Sequence, residues 1–251
     1  IDWLYQIRDA DIEVTTKWGY PYVANFDPNA TVHEVKEHSL DKLNEQWGFS
    51  KKLLPYLKTY QIHSATLETA VLENTDVLNR LHGLKEKYGL QIGLTTTGSN
   101  QLEVLQKALD VDVQGMPLFS SAQVTFNILD QSLMDMKPVL EHRNMQLLVK
   151  EALANGRLIP NDHYGQYQKL YAYLAKLGTQ YQVGTDAIAL RFVMDIFPSA
   201  IVLSGANNEE HLTANLKAET FELSERELET LRQFSTTPET YWNERKQLSW
   251  N

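Results

Sequence analysis

Two short runs of alternating residues end on side chains able to handle a proton. Ile12 to Lys17 (IEVTTK) closes on an ammonium, and Lys58 to His63 (KTYQIH) closes on an imidazole. Successive side chains of a strand point to opposite faces, so Ile12, Val14, Tyr60 and Ile62 share one face while Lys17 and His63 share the other. Set side by side, the two would place a pair of ionisable groups at one mouth of the fold. Alone, each is ordinary: lysine is mostly exposed and solvated, and a single histidine is more often structural. Their place at equivalent ends of successive runs raises the chemical reading. A lysine at such a position, Lys17 or Lys150, could instead form a Schiff base, as in an aldolase or lyase.

Other chemistries find less support. The chain has no cysteine, which removes disulfides, thiolate-bound metal and a thiol nucleophile together. His33 and His38 are five apart, His63 and His82 are distant in sequence, and no HExxH cluster occurs, so no metal site is expected. With 23 basic against 32 acidic side chains and a net charge of -9, a broad electrostatic grip on nucleic acid or anionic lipid is not expected. No apolar run approaches the roughly 20 residues of a membrane span. The opening IDWLYQIRD lacks the basic start and apolar centre of a signal peptide. The expectation is a cytoplasmic protein without nucleic-acid or membrane partners. Asn29-Ala30-Thr31 fits a glycosylation acceptor, a triplet that arises often by chance.

The elements that must hold the two reactive side chains alternate along the chain. Strand runs are expected at Ile12 to Lys17, Lys58 to His63, Leu90 to Thr95, Ser121 to Phe126, Gln146 to Lys150 and Ala200 to Ser204. Between them apolar residues recur at helical spacing: Val32, Val35, Leu40 and Leu43; Leu78, Leu81 and Leu84; Leu102, Leu105 and Leu109; Leu170, Leu174 and Leu177; Ala187, Leu190 and Val193. Ser224 with Glu227 forms a capping-box start for a last helix carrying Leu228 and Leu231. Strands alternating with helices make an α/β protein with parallel strands. At 251 residues one parallel (β/α)8 TIM barrel fills the chain as a single domain, residues 1–251. Six strands do not close eight, so the expectation is strands 3 to 8 and a C-terminal helix, with the first two strands upstream. In a barrel of this kind the C-terminal ends of strands carry the chemistry, which is where Lys17 and His63 fall.

Five segments carry a resemblance to the aldo-keto reductase superfamily: TTKWGY (Thr15 to Tyr20), YQIHSA (Tyr60 to Ala65), AQVTFN (Ala122 to Asn127), KEALANGRL (Lys150 to Leu158) and LSGANNEEHLTANL (Leu203 to Leu216). Their order and spacing extend it over essentially the whole chain. The resemblance implies reduction of an aldehyde or ketone by NAD(P)H, or the reverse oxidation of an alcohol, without metal. It implies an aspartate, tyrosine, lysine and histidine tetrad in which Lys17 matches the lysine and His63 the histidine. There the tyrosine supplies the proton, and the ammonium lowers the phenol's pKa by favouring phenolate. The family's aspartate and tyrosine precede its third strand, and no tyrosine here matches that motif; Tyr20 and Tyr22 follow the lysine.

The same resemblance assigns cofactor contacts. Thr95, Thr96 and Gln123 would meet the nicotinamide end, where Gln123 offers donor and acceptor to a carboxamide. Lys150 stands where many relatives stack an aromatic ring. Gly205, Asn207, Asn208, His211 and Asn215 would hold the phosphate and adenine end at a helix N-terminus, with Asn208 equally suited to be an N-cap. No GxGxxG is present, as expected for this family. NADP(H) is expected ahead of NAD(H), although Gly205 and His211 occupy positions where many NADPH-preferring relatives carry lysine and arginine. Trp18, Tyr20, Tyr22 and Phe26 could wall a substrate pocket or equally pack the loop, and Tyr241, Trp242 and Trp250 could cover the pocket or dock the tail. The partner is then a small carbonyl or alcohol. The alternatives are a catalytically inactive reductase-like binding or scaffold subunit, and the Schiff-base aldolase.

Overall fold

β-branched and aromatic residues crowd the runs that become strands, and in each run the two faces differ in polarity. The computed structural model describes residues 1–24 and 31–248; Phe26, the Asn29-Ala30 part of the acceptor triplet and Trp250 lie outside them. Two compact units make up the chain. The first, Ile1–Thr97 with Glu103–Gln123, holds α1 (Asp2–Ile7), β1 (Val14–Trp18), α2 (Leu40–Ser50), β2 (Leu57–Ala65), α3 (Thr75–Tyr88), β3 (Gln91–Thr96) and most of α4 (Gln101–Leu109). It continues through the two-residue strands β4 (Asp112–Val113) and β5 (Met116–Pro117) into β6 (Phe119–Thr125). The long strands run parallel in the order β1-β2-β3-β6.

Register sorts their side chains. Lys17 lies opposite Gln61, Gln61 opposite Gly93, and Gly93 opposite Ser121, while one step on Thr95 lies opposite Gln123. This face is polar. The alternate residues Trp18, Tyr60, Ile62, Ile92, Leu94 and Ala122 are all buried, and they meet the apolar stripes of the helices. Trp47 of α2 packs on Tyr60 of β2 with ring centroids 5.3 Å apart and on Tyr88 of α3 at 5.1 Å. Leu81 and Leu84 of α3 are fully buried, as their spacing predicts.

One expected stripe divides. Leu43 is buried, but Val32 and Val35 are 53% and 44% exposed and precede the helix. The side chain of Ser39 accepts from the Lys42 amide and starts α2 only at Leu40; upstream, Tyr22 and Glu34 form an antiparallel bridge. Helical spacing over four residues did not outweigh a strong N-cap downstream. The β4-β5 hairpin had no signal in the hydrophobic pattern. Its turn, Gln114-Gly115, has positive φ at both residues, 55° and 77°, the combination that suits a two-residue hairpin.

The second unit, Gly98–Leu102 with Val124–Asn251, contains α5 (Lys137–His142), β7 (Gln146–Lys150), α6 (Gln168–Tyr181), α7 (Thr185–Ile196), β8 (Ile201–Val202), α8 (Glu209–Leu216), α9 (Glu225–Arg232) and α10 (Pro238–Lys246). β7 and β8 pair in parallel through Leu148↔Ile201 and Val149↔Val202. The expected run at 200–204 is therefore short, although the Leu203 amide still reaches the Val149 carbonyl at 2.9 Å. Phe126 stacks on Phe192 at 5.8 Å and meets Phe197 edge-on at 4.8 Å, fixing α7 in the core. The Ser224–Glu227 capping box forms at the start of α9. No helix among the described residues is long and apolar enough to cross a membrane.

Gly93 tests the polar row. A Cβ there would lie 2.8 Å from the Ser121 carbonyl oxygen and 3.1 Å from Gln61 Cγ. Gly93→Ala is expected to cost about 1–3 kcal/mol through this crowding. Gly48→Ala, inside α2 with nothing within 4 Å of the added carbon, should instead stabilise by about 1 kcal/mol. Thermal unfolding followed by circular dichroism should move the two midpoints in opposite directions.

Candidate active site

In the first unit the polar row gathers most of the residues singled out at strand ends. Lys17 is exposed as a residue, yet its ammonium donates to Gln123 Oε1 at 3.2 Å. Partial loss of hydration lowers the ammonium's pKa, opposed by the negative charge of Glu34. Gln123 is 7% exposed and Gln61, beside Lys17, is fully buried; Gln61 Nε2 approaches Ser121 Oγ at 3.4 Å. Thr95 Oγ1 accepts the Ser64 amide at 2.7 Å. Ser64 has φ 48°, and the β2–β3 register shifts between Ile62 and Ala65, so β2 bends just as it delivers His63.

The carbonyl of His63 is held at 2.8 Å by His38 Nε2. A carbonyl only accepts, so His38 carries its proton on Nε2. Burial lowers the His38 pKa, against the bond to His63 and with the positive charge of Lys36 nearby. This imidazole also explains Gly19, where φ is 106° and a Cβ would fall 2.3 Å from His38 Cδ2. The turn brings the Tyr20 ring to 4.5 Å from the His63 ring.

Lys17, His63, Thr95 and Gln123 thus come from one face of one sheet. Thr96 is used differently: fully buried, its hydroxyl lies 3.4 Å from the Gln123 carbonyl, to which it donates. The aromatic residues divide between the wall and the packing readings. Trp18 is 1% exposed, in the core, and Tyr22 pairs with His33 at 6.4 Å; Tyr20 alone of the described three stands against His63.

In the second unit the chain leaving β7 makes an unusual loop. Glu151, Ala154, Asn155 and Gly156 all have positive φ, a conformation that non-glycine residues adopt at a cost. Polar bonds hold it there. Asn127 Nδ2 donates to the Glu151 carbonyl at 2.9 Å, and the Tyr241 hydroxyl donates to Glu151 Oε2 at 2.7 Å. Arg157, with no exposed side-chain surface, donates to the carbonyls of Ala154 and Tyr241 and to Glu244 Oε2, at 3.0, 3.1 and 3.1 Å. Its guanidinium also lies 4.1 Å from the centre of the Tyr241 ring. Burial, and then the nearby Glu151 charge, push the Tyr241 phenol well above its usual pKa. Tyr241 and Trp242 therefore dock the C-terminal helix rather than cover an opening.

This loop forms one wall of a cavity of about 690 Å³, which is closed by Gly184–Asp186 at the start of α7 and by Gly205, Ala206, His211 and Asn215. Of the predicted cofactor residues, Gly205, His211 and Asn215 line it, and Lys150, Asn207 and Asn208 do not. Asn208 is spent on capping α8, its Oδ1 accepting the His211 amide at 2.8 Å. Asn207 Oδ1 accepts from Asn208 Nδ2. Lys150 pairs with Glu151 at 3.7 Å and lies over the Trp242 ring at 5.5 Å, which leaves it poorly placed for the Schiff-base role. Glu151, Asp186 and Arg157 were not singled out from the sequence. Among the described residues no group of three or more histidine, cysteine, aspartate or glutamate side chains could hold a metal ion.

The sequence model of the aldo/keto reductase family matches residues 7–236. The chain belongs to that family. The search of curated proteins finds no match. Among solved structures, the holo form of the aldo-keto reductase AKR11C1 from Bacillus halodurans is 19% identical, with a TM-score of 0.67 over 92% of this chain and 76% of that one. The glycerol dehydrogenase AKR11B4 from Gluconobacter oxydans is 19% identical, with a TM-score of 0.66 over 88% of this chain and 71% of that one. A mutant of Gox0644 in complex with NADPH is 18% identical, with a TM-score of 0.65 over 92% and 74%. At such identities the likeness carries the fold alone, and the α/β fold expected from the alternation of strands and helices is that of the family.

The polar lock around the β7 loop can be tested directly. Arg157→Met would leave Glu244 without its guanidinium partner and take the side-chain donor from the carbonyls of Ala154 and Tyr241, the former keeping the Arg157 amide at 3.3 Å, at an expected cost of about 3 kcal/mol or more. Tyr241→Phe removes one hydroxyl and should cost about 1–2 kcal/mol. Urea unfolding of both variants should give that order.

Proposed function

We propose that this chain, acting as one aldo-keto reductase domain in the cytoplasm, transfers hydride between a nicotinamide dinucleotide and a small aldehyde or ketone, or the corresponding alcohol in reverse. The observation that carries the reading is the shared face of Lys17, His63 and Gln123, with the ammonium of Lys17 held by the Gln123 amide at 3.2 Å. Hydride arriving at a carbonyl carbon leaves negative charge on the oxygen; oriented donors stabilise that charge, and a proton passed through them from water completes the alcohol. Lys17 supplies an ammonium whose lowered pKa makes it the stronger donor. His63 is fixed through its own backbone by His38, which supports an imidazole N–H aimed at the same oxygen. Gln123 keeps the ammonium in place, and its Nε2 remains to bond a carboxamide.

The residues present in the second unit suit a dinucleotide. The cavity of about 690 Å³ is of the size that ligand sites have, and its donors are the Gly205 backbone, the His211 imidazole, and the Asn215 amide, which donates to Ser204 Oγ at 2.8 Å. When bound, the dinucleotide supplies the hydride. On the class of dinucleotide, the family resemblance favours NADP(H), and the related Gox0644 mutant is in complex with NADPH; the charges around the cavity of this chain favour NAD(H).

The test is a screen of small aldehydes and ketones with NADH and NADPH, following loss of dihydronicotinamide absorbance. Lys17→Met and His63→Ala should each lower kcat/KM by about 10²–10⁴-fold with circular dichroism unchanged. Near-normal turnover in both variants would sink the assignment.

A further inference from the structure

We propose that the cavity of the second unit selects a dinucleotide with a free ribose 2′-hydroxyl over its 2′-phosphorylated counterpart, with Asp186 as the residue that sets the choice. The inference rests on the dinucleotide reading above and sharpens it. A 2′-phosphate brings further negative charge and calls for an arginine or lysine, whereas a ribose diol brings donors and calls for a carboxylate. The cavity lining contains two carboxylates, Glu151 and Asp186, and no lysine or arginine.

The other charges nearby do not reverse this. Arg245 Nε lies 3.4 Å from Glu151 Oε1 and Lys150 Nζ 3.7 Å from it, so both cations compensate Glu151, and neither lines the cavity. Asp186 has no ion pair among the described residues and sits in the first turn of α7. The first turn of α8 adds Glu209 and Glu210, which offset the partial positive charge of that helix N-terminus.

His211 is the one imidazole in the lining. Its Nδ1 lies 3.3 Å from Asn208 Nδ2. An amide nitrogen only donates, so Nδ1 is the acceptor in this contact and Nε2 is the ring atom left to face a ligand. The lining thus presents no ammonium or guanidinium to a ligand.

Isothermal titration of the intact chain with NADH and with NADPH reads the choice without turnover. NADH should bind at least about tenfold more tightly. Asp186→Asn should narrow that ratio from both sides, weakening NADH and strengthening NADPH, with thermal melting to confirm the fold. His211→Arg, which leaves the start of α7 untouched, should strengthen NADPH by about tenfold. NADPH binding as tightly as NADH to the unaltered chain would overturn the selectivity and leave the reductase reading standing. An unchanged ratio in Asp186→Asn would remove Asp186 from the role. Absence of binding by either dinucleotide would overturn the reductase reading and this inference with it.

Discussion

The bond from Lys17 to Gln123 constrains the first unit more than any other contact. The order β1-β2-β3-β6 puts two whole strands between the backbones of these residues. In a flat sheet three strand spacings of about 4.8 Å would separate them, too far for side chains that stand perpendicular to the sheet. A bond of 3.2 Å therefore requires the sheet of this unit to curl toward its polar face. The row beneath the bond shows what curling demands. Gln61 and Ser121 are drawn together across Gly93, where a side chain would strike both. Glycine in a strand interior weakens the strand by itself; here it makes room for Gln61 and Ser121 to close over it.

A different balance operates in the second unit. Three non-glycine residues between Glu151 and Asn155 adopt the left-handed conformation, at about 1–2 kcal/mol each. The surroundings must over-determine such a loop. They do so through α10, whose Tyr241 and Glu244 meet Glu151 and Arg157 from a point far along the chain. A fully buried guanidinium without this set of carbonyl and carboxylate acceptors would be untenable. The terminal helix is thus structurally coupled to the wall of the cavity, though none of its residues lines it.

Strands were legible in the sequence because their signal is local. Each run alternates or is β-branched, and all six appear within a few residues of their expected ends, with Lys17 and His63 on the expected face. Capping at Ser224 is equally local. What the pattern could not rank was competition between partners, some adjacent and some distant in sequence. Val32 and Val35 have helical spacing but no cap and no surface to cover. Lys150 matches a cofactor position by alignment of its strand, yet its charge is drawn to Glu151 and Trp242. Asn207 and Asn208 suit a phosphate site as well as they suit a cap, and the cap won because the His211 amide is adjacent. Arg157 had no readable signal at all: an arginine in a loop is ordinarily exposed, and only the return of α10 buries it.

The net charge of -9 poses a last question, since every nicotinamide dinucleotide is an anion. Long-range attraction cannot bring it in, and the cavity offers no fixed cation. Affinity must then come from shape and from neutral donors, which are strong only where water is excluded. That puts the burden on the rigidity of the walls: the left-handed loop locked by Arg157 on one side, and Asn215 fixed by Ser204 on the other. A site built of neutral amides gains little from each additional ligand charge and loses more as the charge grows, because repulsion from the surrounding carboxylates rises with it. The architecture of the walls and the charge of the ligand are two sides of one constraint.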